Sequence, residues 1–166
     1  MTRTFASAVA LAFLLTLPQS AAAQDPASSV VGVWKLNSLV TKEVATGKTV
    51  HPFGEGTIGY AIYTRGGHFM TINTGANRKA AAGASPTDAE RVELFRTMSF
   101  TSGTYRQEGN KVISRYDQSW HQAWTGTERV GTVEITGKTL TITGSPFKSS
   151  LTGLDVVAIS TLERVE

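Results

Sequence analysis

The chain has 166 residues, no cysteine and a formal net charge of +3. Without cysteine it contains no disulfide scaffold, no thiol nucleophile and no cysteine-based zinc site. Its basic residues are scattered along the chain, with Arg78 and Lys79 as an adjacent pair, so no nucleic acid partner is expected. The length after the amino-terminal region suits one domain that is stabilised by packing.

The amino terminus has the pattern of a secretory signal peptide. Arg3 precedes an apolar run at 8–17 that is too short to span a bilayer, and Ala21 and Ala23 fit the small-residue cleavage rule. We therefore expect residues 1–23 to be removed, 24–29 to form a flexible tail, and 30–166 to form one domain. The protein is predicted to be secreted or periplasmic, with no membrane attachment after cleavage.

From residue 30 onward, short β-type segments alternate with turn signals. Turn residues at 65–67, 108–110 and 136–138 join neighbouring segments at hairpin distance. The pattern predicts an all-β fold, an antiparallel up-and-down barrel of eight strands, because closure removes the exposed sheet edges. The predicted strands are 30–40, 57–64, 68–74, 101–107, 111–120, 127–135, 139–144 and 155–165.

One segment between the third and fourth strands breaks the β pattern. Ser85 is predicted as an N-cap, with Pro86 at the first helical position and Asp88 at the third. This predicts one short helix of about three turns. Its apolar stripe is expected to cover one end of the barrel, and consists of Val92, Leu94, Phe95 and Met98. The preceding loop, 75–84, is either a plain connector or a gating lid.

The stretch GEGTIG at 54–59 matches the G-x-G-x-x-G pattern of dinucleotide-binding loops. Such a loop needs a helix directly after it and an acidic residue about twenty positions later. Here a β-type segment follows, and 74–80 contains no Asp or Glu. We therefore interpret Gly54 and Gly56 as turn residues and Gly59 as a point of close approach between strands, and no cofactor is expected.

The residues also resemble the bacterial lipocalin-like domain family. The resemblance covers nearly all of 30–165, and although G-x-W alone is weak, the ordered set is specific. Its motifs are VGVWKL at 31–36, HPFGEGTIGYAIYTRGGHFM at 51–70, SGTY at 102–105, WTGTERVGTVEITGKTLTIT at 124–143 and LERV at 162–165. The resemblance implies an up-and-down barrel able to hold a small ligand. It also implies a structural pair at the closed end, Trp34 with the basic side chain of Arg164 packed on it.

The chain departs from that family in one strand. Members often carry a histidine in the strand corresponding to KVISRYD at 111–117, whereas this chain has Ser114, Arg115 and Tyr116 there. A reaction that depended on such a histidine is therefore not implied for this protein.

Arg129 is the leading candidate ligand-binding residue. Strand alternation places it in phase with Gly131 and Val133, on an apolar face. A buried guanidinium needs a partner, which is either a protein carboxylate such as Asp117 or Glu128, or the carboxylate or phenol oxygen of a ligand. The other predicted pocket residues are Tyr60, His68, Tyr105, Tyr116, Gln118, Trp120 and Trp124. His68 is in phase with Met70 and Ile72 and is expected to face the interior.

Motifs for catalysis and metal binding are missing from the sequence. It contains neither G-x-S-x-G nor H-E-x-x-H, and His51, His68 and His121 lie far apart, so no metal and no catalytic residue are predicted.

The predicted function is a monomeric, exported binder of a small apolar or amphipathic molecule. One alternative is a barrel isomerase, cyclase or hydrolase, with His68 and Asp117 as its acid–base pair. The other is a ligand-free envelope protein with a filled core.

Overall fold

The computed structural model describes residues 29–150 and 152–166, and the predicted signal peptide and most of the predicted tail lie outside the described residues. The described chain contains ten β-strands, one α-helix (α1) and a 3-10 helix at Gln122–Trp124. In chain order the elements are β1 Gly32–Glu43, β2 Thr49–Val50, β3 Ile58–Tyr63, β4 His68–Thr74, α1 Asp88–Arg96, β5 Met98–Glu108, β6 Lys111–Ser119, β7 Glu128–Thr136, β8 Thr139–Gly144, β9 Phe147–Lys148 and β10 Asp155–Arg164. Among these residues, no helix has the length and apolar character needed to cross a membrane.

The eight longer strands form a closed antiparallel barrel. Each pairs with its neighbour along the chain, and pairing of β1 with β10, from Trp34↔Arg164 to Glu43↔Val156, closes the sheet. The predicted eight-stranded barrel with one short helix is confirmed. The two-residue strands β2 and β9 are additions that lengthen the wall beside β1 and β10.

Side chains alternate between the inside and the outside of the barrel, because successive residues of a strand point to opposite faces. In β3, for example, Gly59, Ala61 and Tyr63 are buried, whereas Ile58 and Tyr60 are exposed. The buried core lies toward the end of the barrel where β1 begins and β10 ends. Its members are Val30, Trp34, Leu36, Leu39, Ala61, Tyr63, Phe69, Val112, Val133, Leu140 and Leu162.

Helix α1 begins two residues later than the sequence indicated. Its N-cap is Thr87, whose hydroxyl accepts from the Glu90 backbone N–H while the Glu90 carboxylate accepts from the Thr87 backbone N–H. Ser85 as the N-cap is therefore wrong. The reciprocal pair needs a Glu or Gln three residues after the cap, and Ser85 has the shorter Asp88 there. None of the helix residues is buried. Phe95 is 53 % exposed, and its ring contacts the Trp120 ring of the barrel at 5.4 Å between centroids.

The 75–84 loop is hydrogen-bonded to α1. The Arg78 guanidinium donates to the Leu94 carbonyl at 3.1 Å, and the Ala82 N–H donates to Glu90 Oε1 at 3.0 Å. The hydrogen bond from Ala82, together with those from Thr87, holds the pKa of Glu90 below its usual value. Loop and helix therefore form one hydrogen-bonded unit beside the barrel mouth.

The glycines of GEGTIG occupy turn positions and a point of close approach between two strands. Gly54 and Gly56 have φ angles of 85° and 71°, which suit glycine at turns. Gly59 lies in β3 opposite Asn73, where an added Cβ would collide with the Asn73 side chain and the Ile72 carbonyl oxygen. The interpretation of these glycines as turn and close-approach residues is confirmed.

Candidate functional site in the barrel interior

The barrel interior contains two adjoining chambers. The lower chamber, toward the buried core, has a volume of about 200 Å³, and the upper chamber, toward the mouth, has a volume of about 190 Å³. Eight residues line both chambers: Thr71, Asn73, Thr101, Tyr116, Trp124, Phe147, Ala158 and Ser160. The shared walls make the chambers two parts of one interior space.

Arg129 lines the lower chamber from β7. Its partner in register is Ser114, which is buried, and the guanidinium carbon lies 4.5 Å from the centroid of the Trp124 ring and 5.5 Å from that of Phe147. A guanidinium over aromatic faces gains a cation–π attraction. Arg129 is thus held against the aromatic wall of the chamber.

The two carboxylates considered as partners of Arg129 are engaged elsewhere. Asp117 lies 3.9 Å from Arg115, and Glu128 lies 3.3 Å from Arg106, all on exposed positions. Pairing of Arg129 with Asp117 or Glu128 is therefore wrong. Within 29–150 and 152–166, the Arg129 side chain forms no ion pair and no hydrogen bond, and it is the one charged residue that lines either chamber.

Tyr116 stands between the two chambers. Its ring contacts Phe69 at 5.6 Å and Trp124 at 6.3 Å between centroids. Burial raises the pKa of Tyr116, and the positive charge of Arg129 opposes that rise, so the two side chains are electrostatically coupled. No described residue forms a hydrogen bond with the Tyr116 hydroxyl, which leaves the group available on the chamber wall.

Two further tyrosines, Tyr63 and Tyr105, lie in the same part of the core as Tyr116. Tyr63 is buried, and burial raises its pKa far above its usual value. Tyr105 packs edge-on against Tyr63 at 5.0 Å, and its hydroxyl donates to the Thr64 carbonyl at 2.8 Å. Its hydroxyl is therefore already engaged with the protein, and Tyr105 does not line either chamber.

The wall formed by β4 and β5 is polar. Thr71 and Thr101 share a hydrogen bond at 2.7 Å, and the Asn73 amide donates to the Ser99 hydroxyl at 3.2 Å. These groups satisfy one another and still border the chambers. These residues were not predicted as pocket residues, although the opposite phase of HFMTINT places Thr71 and Asn73 inside.

An aromatic cluster lies at the mouth. Trp120 contacts Phe53 and Phe95 at 6.3 and 5.4 Å between centroids, and His121 stacks on Trp124 at 5.3 Å. Trp120 and Trp124 both line the upper chamber. The indole nitrogen of Trp120 and Nδ1 of His121 are buried without a hydrogen-bond partner in the described part of the chain.

Two predicted pocket residues, His68 and Gln118, are exposed on the outer face and line neither chamber. Tyr60 is 47 % exposed and still contributes to the lining of the lower chamber. The inward orientation of His68 is wrong because Phe69, Thr71 and Asn73 occupy the inner positions of β4. Gln118 is turned outward by an irregularity in the β5–β6 register between Ser102 and Gly103.

The closed end is built around Trp34, which is fully buried. Its indole N–H donates to the Val30 carbonyl at 2.7 Å, and the Arg164 guanidinium carbon lies 4.0 Å from the ring centroid. Arg164 also donates to the backbone carbonyls of Val31 and Ser29, at 2.6 and 2.9 Å. Arg164, in β10, is thereby hydrogen-bonded to the segment that precedes β1.

The acid–base pair predicted from the sequence does not lie in the chambers. His68 and Asp117, considered above as an acid–base pair, are both exposed outside the barrel. Across the described ranges there is no cluster of three or more His, Asp or Glu side chains that could hold a metal ion. The interior therefore offers an arginine, hydroxyls, an amide and aromatic faces, which are groups suited to binding.

Of the comparisons with known proteins, the match to a family model agrees with the architecture. The family model for the lipocalin-like domain matches residues 31–164. No curated protein matches the sequence. Five solved chains match the structure, among them a "REP1-NXSQ fatty acid transporter" at 11% sequence identity and a TM-score of 0.37, covering 82% of this chain and 96% of that one. A likeness this distant carries no information about the ligand of this protein.

Proposed function

The chain belongs to the lipocalin-like domain family, and from that premise we propose that it is an exported protein that binds a small apolar or amphipathic molecule inside its barrel. The observation that supports this most directly is the unfilled interior. An eight-stranded barrel is either filled by its own side chains or able to hold one small ligand. Here two adjoining chambers of about 200 and 190 Å³ remain between the walls.

The chamber lining supports a binding role. Ligand sites in proteins are concave and largely apolar, with a few polar groups that orient the ligand. The chambers combine aromatic rings such as Tyr116 and Trp124 with hydroxyl and amide groups and the single charge of Arg129. This composition favours an amphipathic molecule that carries both a ring or chain and a polar end.

Ligand entry is expected to change the tryptophan fluorescence of the protein. The chain has three tryptophans, of which Trp120 and Trp124 line the upper chamber and Trp34 is buried in the core. Titration with a panel of phenols, terpenoids and fatty acids should therefore quench or shift the emission. Native mass spectrometry of the purified protein should show the mass of the complex.

The matched control for that titration is the double variant Trp120→Phe/Trp124→Phe, which retains Trp34 as the one emitter. Its emission should no longer respond to ligand, because Trp34 lies outside both chambers. A panel that leaves the fluorescence of the unchanged protein constant and gives no complex by mass would favour the filled-barrel alternative.

Export is the second part of the proposal and has its own measurement. Expression of the full chain in a bacterium should yield a product that begins at or within a residue or two of Gln24, in the periplasm or the medium. Amino-terminal sequencing and fractionation give the answer. Recovery of the protein with Met1 intact in the membrane fraction would contradict export by signal cleavage.

A further inference from the structure

We propose that the lower chamber selects a planar aromatic carboxylate of about one-ring size, with its carboxylate bound by the Arg129 guanidinium beside the Tyr116 hydroxyl. This inference rests on the proposed binding function and narrows it to one ligand class. Three independent features of the chamber support it, namely its charge, its dimensions and the unused hydrogen-bonding groups on its wall.

The positive charge in the chamber favours an anionic ligand. Among the described residues, Arg129 is the one charged residue that lines the chamber, and the carboxylates of Asp117 and Glu128 are paired with other arginines on the outer face. A partly buried guanidinium without a counter-charge is unfavourable, and an anionic ligand would compensate it. A guanidinium packed against a ring keeps its N–H donors free, and these match the two oxygens of a carboxylate.

The dimensions of the chamber favour one ring. Its volume is about 200 Å³. An apolar cavity of about 150 Å³ is sufficient for benzene, so this chamber fits a single ring with a short acidic substituent. Aromatic side chains line this space from several strands and from the 3-10 helix, among them Tyr63, Phe69, Phe147 and Trp124. Flat walls of this kind pack closely against a flat ring.

The hydrogen-bonding groups of the chamber are placed for an acid. The Tyr116 hydroxyl has no partner among the described residues, and Tyr116 and Arg129 line the same chamber and both contact the Trp124 ring, at 6.3 Å between centroids and 4.5 Å from the guanidinium carbon. A carboxylate seated on Arg129 would accept a hydrogen bond from that hydroxyl. The threonines of the opposite wall are paired with each other, whereas the Arg129 guanidinium and the Tyr116 hydroxyl have no hydrogen-bond partner among the described residues. The hydroxyls of Ser114 and Ser160 also line the chamber, but Arg129 supplies the charge that an acid requires.

The test is calorimetric titration of the purified exported protein with four probes: benzoate, cinnamate, cinnamamide and decanoate. We expect cinnamate to bind at least about tenfold more tightly than cinnamamide, because charge-assisted hydrogen bonds are stronger than neutral ones. Benzoate should also bind, and decanoate should bind more weakly than cinnamate because a flexible alkyl chain packs less closely than a flat ring against the aromatic walls. Equal affinities for cinnamate and cinnamamide, or a preference for decanoate, would overturn the proposal.

The residues are tested by two chamber variants and one matched control. Arg129→Gln should abolish the preference for the acid over the amide, and Tyr116→Phe should reduce it to a smaller extent. The control Arg115→Gln removes an arginine on the outer face of the neighbouring strand and should leave the preference unchanged. Retention of the full preference in folded Arg129→Gln would contradict the assignment of the arginine.

The outcomes separate the ligand class from the binding function itself. If Arg129→Gln does not fold, Tyr116→Phe and the comparison of acid with amide on the unchanged protein still decide the matter. Binding of neutral amphipathic molecules without any preference for acids would refute the ligand class and leave the binding function standing. If no molecule of either kind binds the folded protein, the proposed function fails as well.

Discussion

Replacement of Trp34 by alanine is expected to lower the free energy of unfolding by about 3–5 kcal/mol, the cost typical of removing a large buried ring. The side chain is fully buried, and its loss would also remove the hydrogen bond to the Val30 carbonyl and the ring on which Arg164 lies. Domains of this size have total stabilities of about 5–15 kcal/mol. The variant should therefore be largely unfolded at moderate temperature, whether or not ligand is present, as measured by circular dichroism during heating.

Arg164→Ala is the comparison for that experiment. It should destabilise the domain less than Trp34→Ala, because the arginine is partly exposed and its loss leaves the ring in place. The carbonyls of Val31 and Ser29 would then turn to water at the barrel end. An unchanged melting temperature in Trp34→Ala would refute the role of this residue as the centre of the closed end.

Gly59→Val is expected to destabilise the domain by about 3 kcal/mol through overpacking. The new side chain would meet two oxygens at once, the amide oxygen of Asn73 and the backbone carbonyl of Ile72. One of these belongs to the sheet backbone and is held by the pairing of β3 with β4, so it is not free to move aside. Urea denaturation of the variant, monitored by circular dichroism, measures the loss as a lower midpoint.

Gly66→Val is the matched control, since it lies in the hairpin that joins the same two strands. Its nearest neighbours to an added Cβ are the His68 ring and the Thr64 hydroxyl, both at 3.9 Å, which is ordinary contact. The urea midpoint of this control should change little. Equal midpoints for Gly59→Val and the unchanged protein would show that β3 and β4 are farther apart than described. Tight nucleotide binding that Gly59→Val abolished would revive the dinucleotide-loop interpretation.

The barrel was predictable because its signals are local and repeated. Alternating residues define each strand, and glycine-containing turns such as 65–67 and 136–138 define the hairpins. The strands β2 and β9 were not found, since two residues are too few to show a period. The start of α1 was misplaced because two overlapping capping patterns compete, and the one with Glu90 forms the reciprocal hydrogen bonds.

The site was predicted less well, and the reason is physical. Sequence analysis assigns the more apolar face of a strand to the interior, but the inner face of β4 carries Thr71 and Asn73, while Met70 and Ile72 lie outside. A barrel that keeps open space has small or polar residues along part of its inner wall. In such a strand the usual arrangement, with apolar residues inside and polar residues outside, is reversed. His68 was misplaced for this reason. Arg129 was placed inside because β7 has conventional alternation, with Val133 buried.

The pairing that closes the barrel also sets limits on how the chain folds. Trp34 in β1 lies opposite Arg164 in β10, so the contact that completes the wall joins residues near opposite ends of the domain. Contacts of high sequence separation form slowly, since the intervening chain must first be ordered. During synthesis the barrel is unable to close until its final strand has left the ribosome. Under the proposed export this order is favourable, because it delays completion of the folded state until the whole polypeptide is available.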